Sequence, residues 1–248
     1  MKIVKHIPNT ITSSNLLCGA LGVIYSFNGH LDWAFYLMIA AAVADFFDGF
    51  SARLLGAYSP MGKELDSLAD MVSFGLLPSV MLYVYLSDIA SVGTWAYIPL
   101  IIAVFSGLRL AKFNIDERQS ENFIGLATPA CAMICGSLIC FLVTVGSETA
   151  IASLANGKYF LPTMSVILAF LLVSEVPMFS MKFKKKAEGA KCSGLFEGYN
   201  LLRIIFAACF ITSALLVLIA GLHWSMIVFM TFISYILINL IGSLFLKK

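Results

Sequence analysis

Apolar runs of about twenty residues, separated by short polar connections, recur along this chain, and a helix needs roughly that length to cross a bilayer. Eight runs are predicted as membrane-spanning helices: roughly Ile11–Phe27, Trp33–Leu55, Met61–Leu86, Thr94–Ala111, Leu126–Val145, Phe160–Met178, Leu201–Ala220 and Ser225–Leu246. None of the connections could hold a soluble domain. Residues 1–10 are predicted as an amphipathic interfacial segment, with Lys2, Lys5 and His6 set against Ile3, Val4 and Ile7 and with Pro8 closing the stretch. The first run is the least apolar, because it begins with the polar sequence from Asn9 to Asn15.

Composition strengthens this reading. Of 248 residues, 60% are hydrophobic and 12% charged, against about 45–50% and 25% in a soluble domain. A soluble enzyme is excluded, and a disordered chain would show the opposite bias. A net charge of +2 with no basic domain excludes nucleic acid as the main partner. The expected fold class is an all-α polytopic membrane bundle of about eight helices. With both termini inside, 15 of the 16 Lys and Arg residues fall on the cytoplasmic side and Lys158 alone outside, which satisfies the positive-inside rule. A multi-pass protein of the cell membrane is expected. The N-terminus has no signal-peptide core, so no cleavage is expected. The six cysteines show no CxxC spacing and read as small buried hydrophobes.

Acidic residues inside spans are expensive and mark function. Asp45, Asp48, Gly49, Ala52 and Arg53 recur on one face of the second run, and Gly62, Asp66 and Asp70 on one face of the third. A short turn joins these runs as antiparallel neighbours, so the two acidic faces can meet. Four carboxylates in a low-dielectric site need positive charge between them, and Arg53 alone cannot supply it. A polar seam in which the acids pair with one another or with Arg53 is the bland alternative. Two divalent cations balance the charge better. Oxygen ligands without His or Cys favour Mg²⁺ or Mn²⁺ over zinc, and paired ions of this kind clamp displacements at phosphorus. Gly49 and Gly62 clear side chains from where a bulky phosphate or nucleotide would approach.

These residues carry a resemblance. Asp45-Phe-Phe-Asp48-Gly49-Phe-Ser-Ala52-Arg53, eight residues, then Gly62-Lys-Glu-Leu-Asp66-Ser-Leu-Ala-Asp70 matches D-x-x-D-G-x-x-A-R-x8-G-x3-D-x3-D at every fixed position. It resembles the signature of the CDP-alcohol phosphotransferases. The resemblance implies that Asp45, Asp48 and Asp66 bind two metal ions. It implies that Asp70 completes the metal site and acts as general base, and that Gly49, Arg53 and Ser59 hold the CDP moiety. Further segments are similar to the bacterial phosphatidylserine synthase subfamily. They include Pro8-Asn9-Thr10 with Thr12, Asn15 and Cys18-Gly19, then Ser73-Phe74-Gly75 with Pro78, and Arg109-Leu-Ala-Lys112-Phe113-Asn114. Phe123 to Ala130 and Val173 to Lys182 complete the set, with Ala127 where that subfamily usually has proline.

The implied substrates are CDP-diacylglycerol and L-serine, with membrane lipids and a homodimer partner also implied. Asn9 and Thr12 are expected to contact the donor, or else only to start a helix. Arg109, Lys112 and Asn114 are expected at serine or phosphate, with interfacial anchoring as the alternative for the two cations. The run Lys182, Lys184, Lys185 and Lys186 reads as attraction to the membrane surface. The expected domain layout is a catalytic helical domain over 11–182, followed over 183–248 by a cytoplasmic loop and two further spans. Rival functions are the same chemistry on glycerol 3-phosphate or inositol, and a cation-coupled transporter. Against the transporter, the acids have no counterpart in the second half.

Overall fold

In a computed structural model of the protein, described over residues 6–116, 123–145, 149–178 and 199–246, the polar start of the first run belongs to a helix that turns its polar face inward. Helix α1 (Ile7–Phe27) buries Pro8, Thr12, Asn15, Gly19, Gly22 and Ser26, which share one narrow face of small and polar residues. The hydroxyls of Thr10, Thr12, Ser13 and Ser14 donate to the carbonyls of His6, Pro8, Asn9 and Thr10. Their hydrogen bonds are therefore made within the helix, as an apolar medium requires. Pro8 lies in the first turn, where its missing N–H costs nothing, so α1 starts at Ile7 and not after residue 10. Residues 1–5 of the expected interfacial segment lie outside the described residues.

Helix α2 (Leu31–Leu54) packs closely along α1 after a short turn. Helix α3 runs continuously over Pro60–Ile89. It is α-helical to Asp70, π-helical over Met71–Leu76, α-helical over Leu77–Val84 and π-helical again over Tyr85–Ile89. A π-segment widens the helix by one residue per turn and often sits beside a functional site. Here the first one begins directly after Asp70. Helix α4 (Gly93–Ile115) opens as a 3₁₀ helix over Gly93–Leu100.

The core lies around α5 (Thr128–Val145), which contacts α2 and α3 and is the most buried of the long helices. Its small residues permit this; a Cβ at Gly136 would stand 2.8 Å from the Phe35 ring. Cys131, Cys135 and Cys140 are buried there as free thiols, and Cys192 lies outside the described residues. Helices α6 (Ala150–Ala155), α7 (Phe160–Val173), α8 (Tyr199–Ile219) and α9 (Ser225–Leu246) follow. Helix α9 packs on α5 and α8, and α7 on α4. Large apolar side chains such as Phe46, Phe47, Leu218 and Ile219 are exposed on the outside of the bundle, as expected where the solvent is lipid.

Among the described residues seven helices are long and apolar enough to cross a membrane, so the protein is a multi-pass integral membrane protein. The expected span Phe160–Met178 is the exception. Its helix stops at Val173 after 14 residues, about 21 Å at 1.5 Å per residue. Ser174 is already extended, and Pro177 disfavours helix in the residue before it. The chain instead forms a two-residue strand, β2 (Pro177–Met178), antiparallel to β1 (Phe123–Ile124). Gly125 then turns with φ +77°, and a Cβ there would stand 2.7 Å from the Leu172 carbonyl oxygen. Leu126 N donates to Leu171 O at 2.9 Å, which satisfies a carbonyl in the last turn of α7.

Helices α1 and α3 approach closely at Gly19. A Cβ on Gly19 would run into the Ser73 hydroxyl and would stand 2.9 Å from Ser73 Cα. A backbone atom cannot rotate away. Gly19→Leu should therefore destabilise the protein by more than about 2 kcal/mol, read as a lowered melting temperature in detergent.

Candidate active site

The turn between α2 and α3 brings two acidic faces together. Ser59 caps α3, its Oγ accepting from Gly62 N at 3.0 Å, and Pro60 occupies the first turn. This fixes where α3 starts, and hence where Asp66 and Asp70 stand relative to α2. One carboxylate oxygen from each of Asp45, Asp48 and Asp66 lies within 4.8 Å of the others. Asp48 is buried, while Asp45 and Asp66 are partly buried.

Two unit charges 4.8 Å apart repel by about 3–4 kcal/mol at an effective dielectric of about 20. Among the described residues no lysine or arginine forms an ion pair with this trio. Arg53 is exposed and donates through Nε to Gly49 O at 2.9 Å, along its own helix. Asp48 Oδ2 and Asp66 Oδ1 are buried without a hydrogen-bond partner. Unpartnered carboxylate oxygens converging without a protein cation suit a hard divalent ion.

Asp70, one turn further along α3, is outside this trio. Its Oδ1 accepts from Asn15 Nδ2 at 3.4 Å. Three of the four expected acids thus converge closely, and Asp70 adds a bond to α1.

A cavity of about 520 Å³ opens beside the trio, within the usual range for small-molecule sites. Asn9 and Thr12 of α1, Asp48 and Gly49 of α2, Ser59 of the turn, and Gly62, Lys63 and Asp66 of α3 contribute to its wall. Six expected donor or metal residues, Asn9, Thr12, Asp48, Gly49, Ser59 and Asp66, therefore meet at one space. Asp45, Arg53 and Asp70 lie beyond its lining.

Gly49 has open space where a Cβ would stand, with nothing within 4 Å. Protein packing therefore does not require glycine there, although glycine costs a helix interior about 1 kcal/mol relative to alanine. Gly62 differs, since a Cβ would stand 3.1 Å from both Asn9 Oδ1 and Ser59 Oγ.

The model of the CDP-alcohol phosphatidyltransferase family matches residues 5–174. The chain belongs to this family. It is 37% identical over 131 residues to a CDP-diacylglycerol–serine O-phosphatidyltransferase of Bacillus subtilis (strain 168), covering 52% of this chain and 73% of that one. It is 31% identical over 172 residues to the protein of the same description from Helicobacter pylori (strain ATCC 700392 / 26695), covering 68% and 70%. An archaetidylserine synthase of Methanothermobacter thermautotrophicus is 33% identical over 137 residues, covering 53% and 56%. As a CDP-alcohol phosphatidyltransferase the chain is a phosphotransferase enzyme, and helices α8 and α9 lie beyond the family match.

The three residues expected at the acceptor separate in this phosphatidyltransferase. Lys112 pairs with Glu175 at 3.6 Å. Asn114 donates to Ser67 Oγ at 2.9 Å, and its carbonyl accepts from Lys63 Nζ at 3.0 Å, so it tethers α4 to α3. Arg109 is buried, donates to Thr128 Oγ1 at 2.8 Å and keeps Nε without a partner. Of the three, Arg109 alone is buried, so its unpartnered Nε is also cut off from solvent. Sequence reasoning gave Lys63 only a topological role, although it lines the cavity, and it assigned Thr128 and Asn15 no role of their own. No periodicity links Thr128 to Arg109 or Asn15 to Asp70, because those contacts join different helices.

Gly49→Ala should leave the melting temperature unchanged or raise it, by up to about 1 kcal/mol in stability, while weakening nucleotide binding measured by titration with CDP. A lowered melting temperature with unchanged binding would show that this glycine serves packing.

Proposed function

We propose that the protein transfers a phosphatidyl group from CDP-diacylglycerol to L-serine and releases CMP. The observation that carries the chemistry is the carboxylate trio beside a nucleotide-sized cavity, with Asp70 one helical turn away. Serine as acceptor is supported by the relatives, whose descriptions share serine and differ in the lipid. In the proposed site, Asp45, Asp48, Asp66 and Asp70 would hold two Mg²⁺ or Mn²⁺ ions. Those ions, when bound, would neutralise the diphosphate and polarise its bond to CMP.

The chain's own residues do the rest. Asn9, Thr12, Gly49 and Ser59 seat the CDP moiety in the cavity, and Arg53 holds it from beyond the lining. Asp70 takes the hydroxyl proton of serine as the serine oxygen attacks the β-phosphorus. The new O–P bond forms as the P–O bond to CMP breaks, and CMP leaves with the electron pair. Holding donor and acceptor in line removes most of the entropic barrier. Arg109, buried with Nε unpartnered, is assigned to an anionic group of the acceptor or the donor phosphate.

The proposed placement is in the cell membrane with both termini and the active site cytoplasmic. This requires the 14-residue α7 to cross as an eighth span and is supported by the 15 basic residues that eight spans assign to that side. The proposed catalytic unit is 11–182, with 183–248 appended. The expected homodimer rests on the family resemblance.

Chelating divalent ions should abolish turnover, and Mg²⁺ or Mn²⁺ should restore it. Asp45→Asn and Asp48→Asn should be impaired at low metal and recover partly as metal is raised. Asp70→Asn should lose about 10²–10⁴-fold in turnover and should not recover. Full rescue by metal would make Asp70 a ligand only.

Competition among serine, glycerol 3-phosphate and inositol, with lipid products separated chromatographically, should yield phosphatidylserine. Preference for glycerol 3-phosphate would overturn the acceptor assignment and leave the phosphoryl chemistry standing.

A further inference from the structure

Helix α1 delivers one polar side chain to Asp70. Asn15 is completely buried, and its Nδ2 donates to Asp70 Oδ1 at 3.4 Å. An ionised carboxylate can only accept, so the amide must turn its nitrogen to Asp70 and its oxygen away. That oxygen, Asn15 Oδ1, is buried and has no partner. Leaving a buried carbonyl oxygen without a donor costs stability, and an apolar side chain would avoid that cost. What the asparagine adds at this position is its bond to Asp70.

The backbone beneath it is fixed with unusual care. Ser73 Oγ donates to Asn15 O at 3.0 Å, and Gly19, one turn along α1, lies directly against Ser73. Ser73 stands three residues after Asp70, inside the first π-segment. The two helices are thus locked in register at the level of Asp70, and the Asn15 amide is aimed at it.

We propose that Asn15 is a positioning residue. By holding Asp70 Oδ1 it sets the orientation of the carboxylate and leaves Oδ2 to take the acceptor's proton. This rests on the reading of Asp70 as general base. Without the amide N–H the carboxylate is free to rotate, and a small misplacement of a reacting group costs about 10²-fold in rate.

The test compares Asn15→Leu, with Asn15→Ala as the smaller alternative should leucine prevent folding, in wild-type and Asp70→Asn backgrounds. Measurements are kcat, KM for serine and for CDP-diacylglycerol, and the melting temperature in detergent without substrate. In the wild-type background kcat should fall about 10- to 100-fold, with both KM values and the melting temperature little changed. In the Asp70→Asn background the same substitution should cost little further rate, because its effect runs through Asp70. Unchanged kcat, or a lowered melting temperature with kcat retained, would overturn the inference. So would a full rate loss added to an already impaired Asp70→Asn. Wild-type turnover in Asp70→Asn alone would instead overturn the base reading itself, and this inference with it.

Discussion

Carboxylates inside an apolar bundle must be compensated, and the architecture around α2 and α3 follows from how that is arranged. Asp45, Asp48 and Asp66 converge without a protein cation paired to them among the described residues. Their mutual repulsion favours an added divalent ion over closure of the site. Any side chain that neutralised them permanently would remove the reason for an ion to bind. Arg53 and Lys63, the two nearby cations on these helices, are drawn instead to Gly49 O and Asn114 O.

The surrounding helices hold this site by contacts that each join two elements. The small face of α1 lets its backbone approach α3 where Gly19 meets Ser73. Lys63, Ser67 and Asn114 tie α4 to α3. Arg109 and Thr128 tie α4 to α5, while Lys112 and Glu175 link α4 to the segment after α7. The β1–β2 ladder and Gly125 set where α5 begins, and therefore where Thr128 meets Arg109. Asparagines and hydroxyls that read as substrate contacts in isolation can thus be ties between helices. Asn114 is the clearest case.

The arrangement also separates an enzyme from an ion carrier. The acidic residues that converge belong to one helical hairpin beside a cavity large enough for a nucleotide. The family match ends at residue 174, yet α9 packs directly on the central helix α5. Those last helices support the core without supplying acids to the site.

The sequence by itself determined the class of the fold, the acidic hairpin and the family, because each is written in local spacing. Apolar runs report helices that must bury their own backbone hydrogen bonds in lipid. Aspartates three and four residues apart report a shared helix face. Tertiary structure alone decided which polar groups face one another. Only it shows that the polar start of α1 lines the cavity, that Asn15 donates to Asp70, and that Asn114 and Lys112 contact Ser67 and Glu175. It also ended α7 early, at Val173, so that Pro177 and Met178 pair as a strand with β1. The physical reason is common to these cases. Contacts between helices depend on register and approach distance, which are set by residues far apart in the chain, such as Gly19 and Ser73, and no periodicity along one helix encodes them.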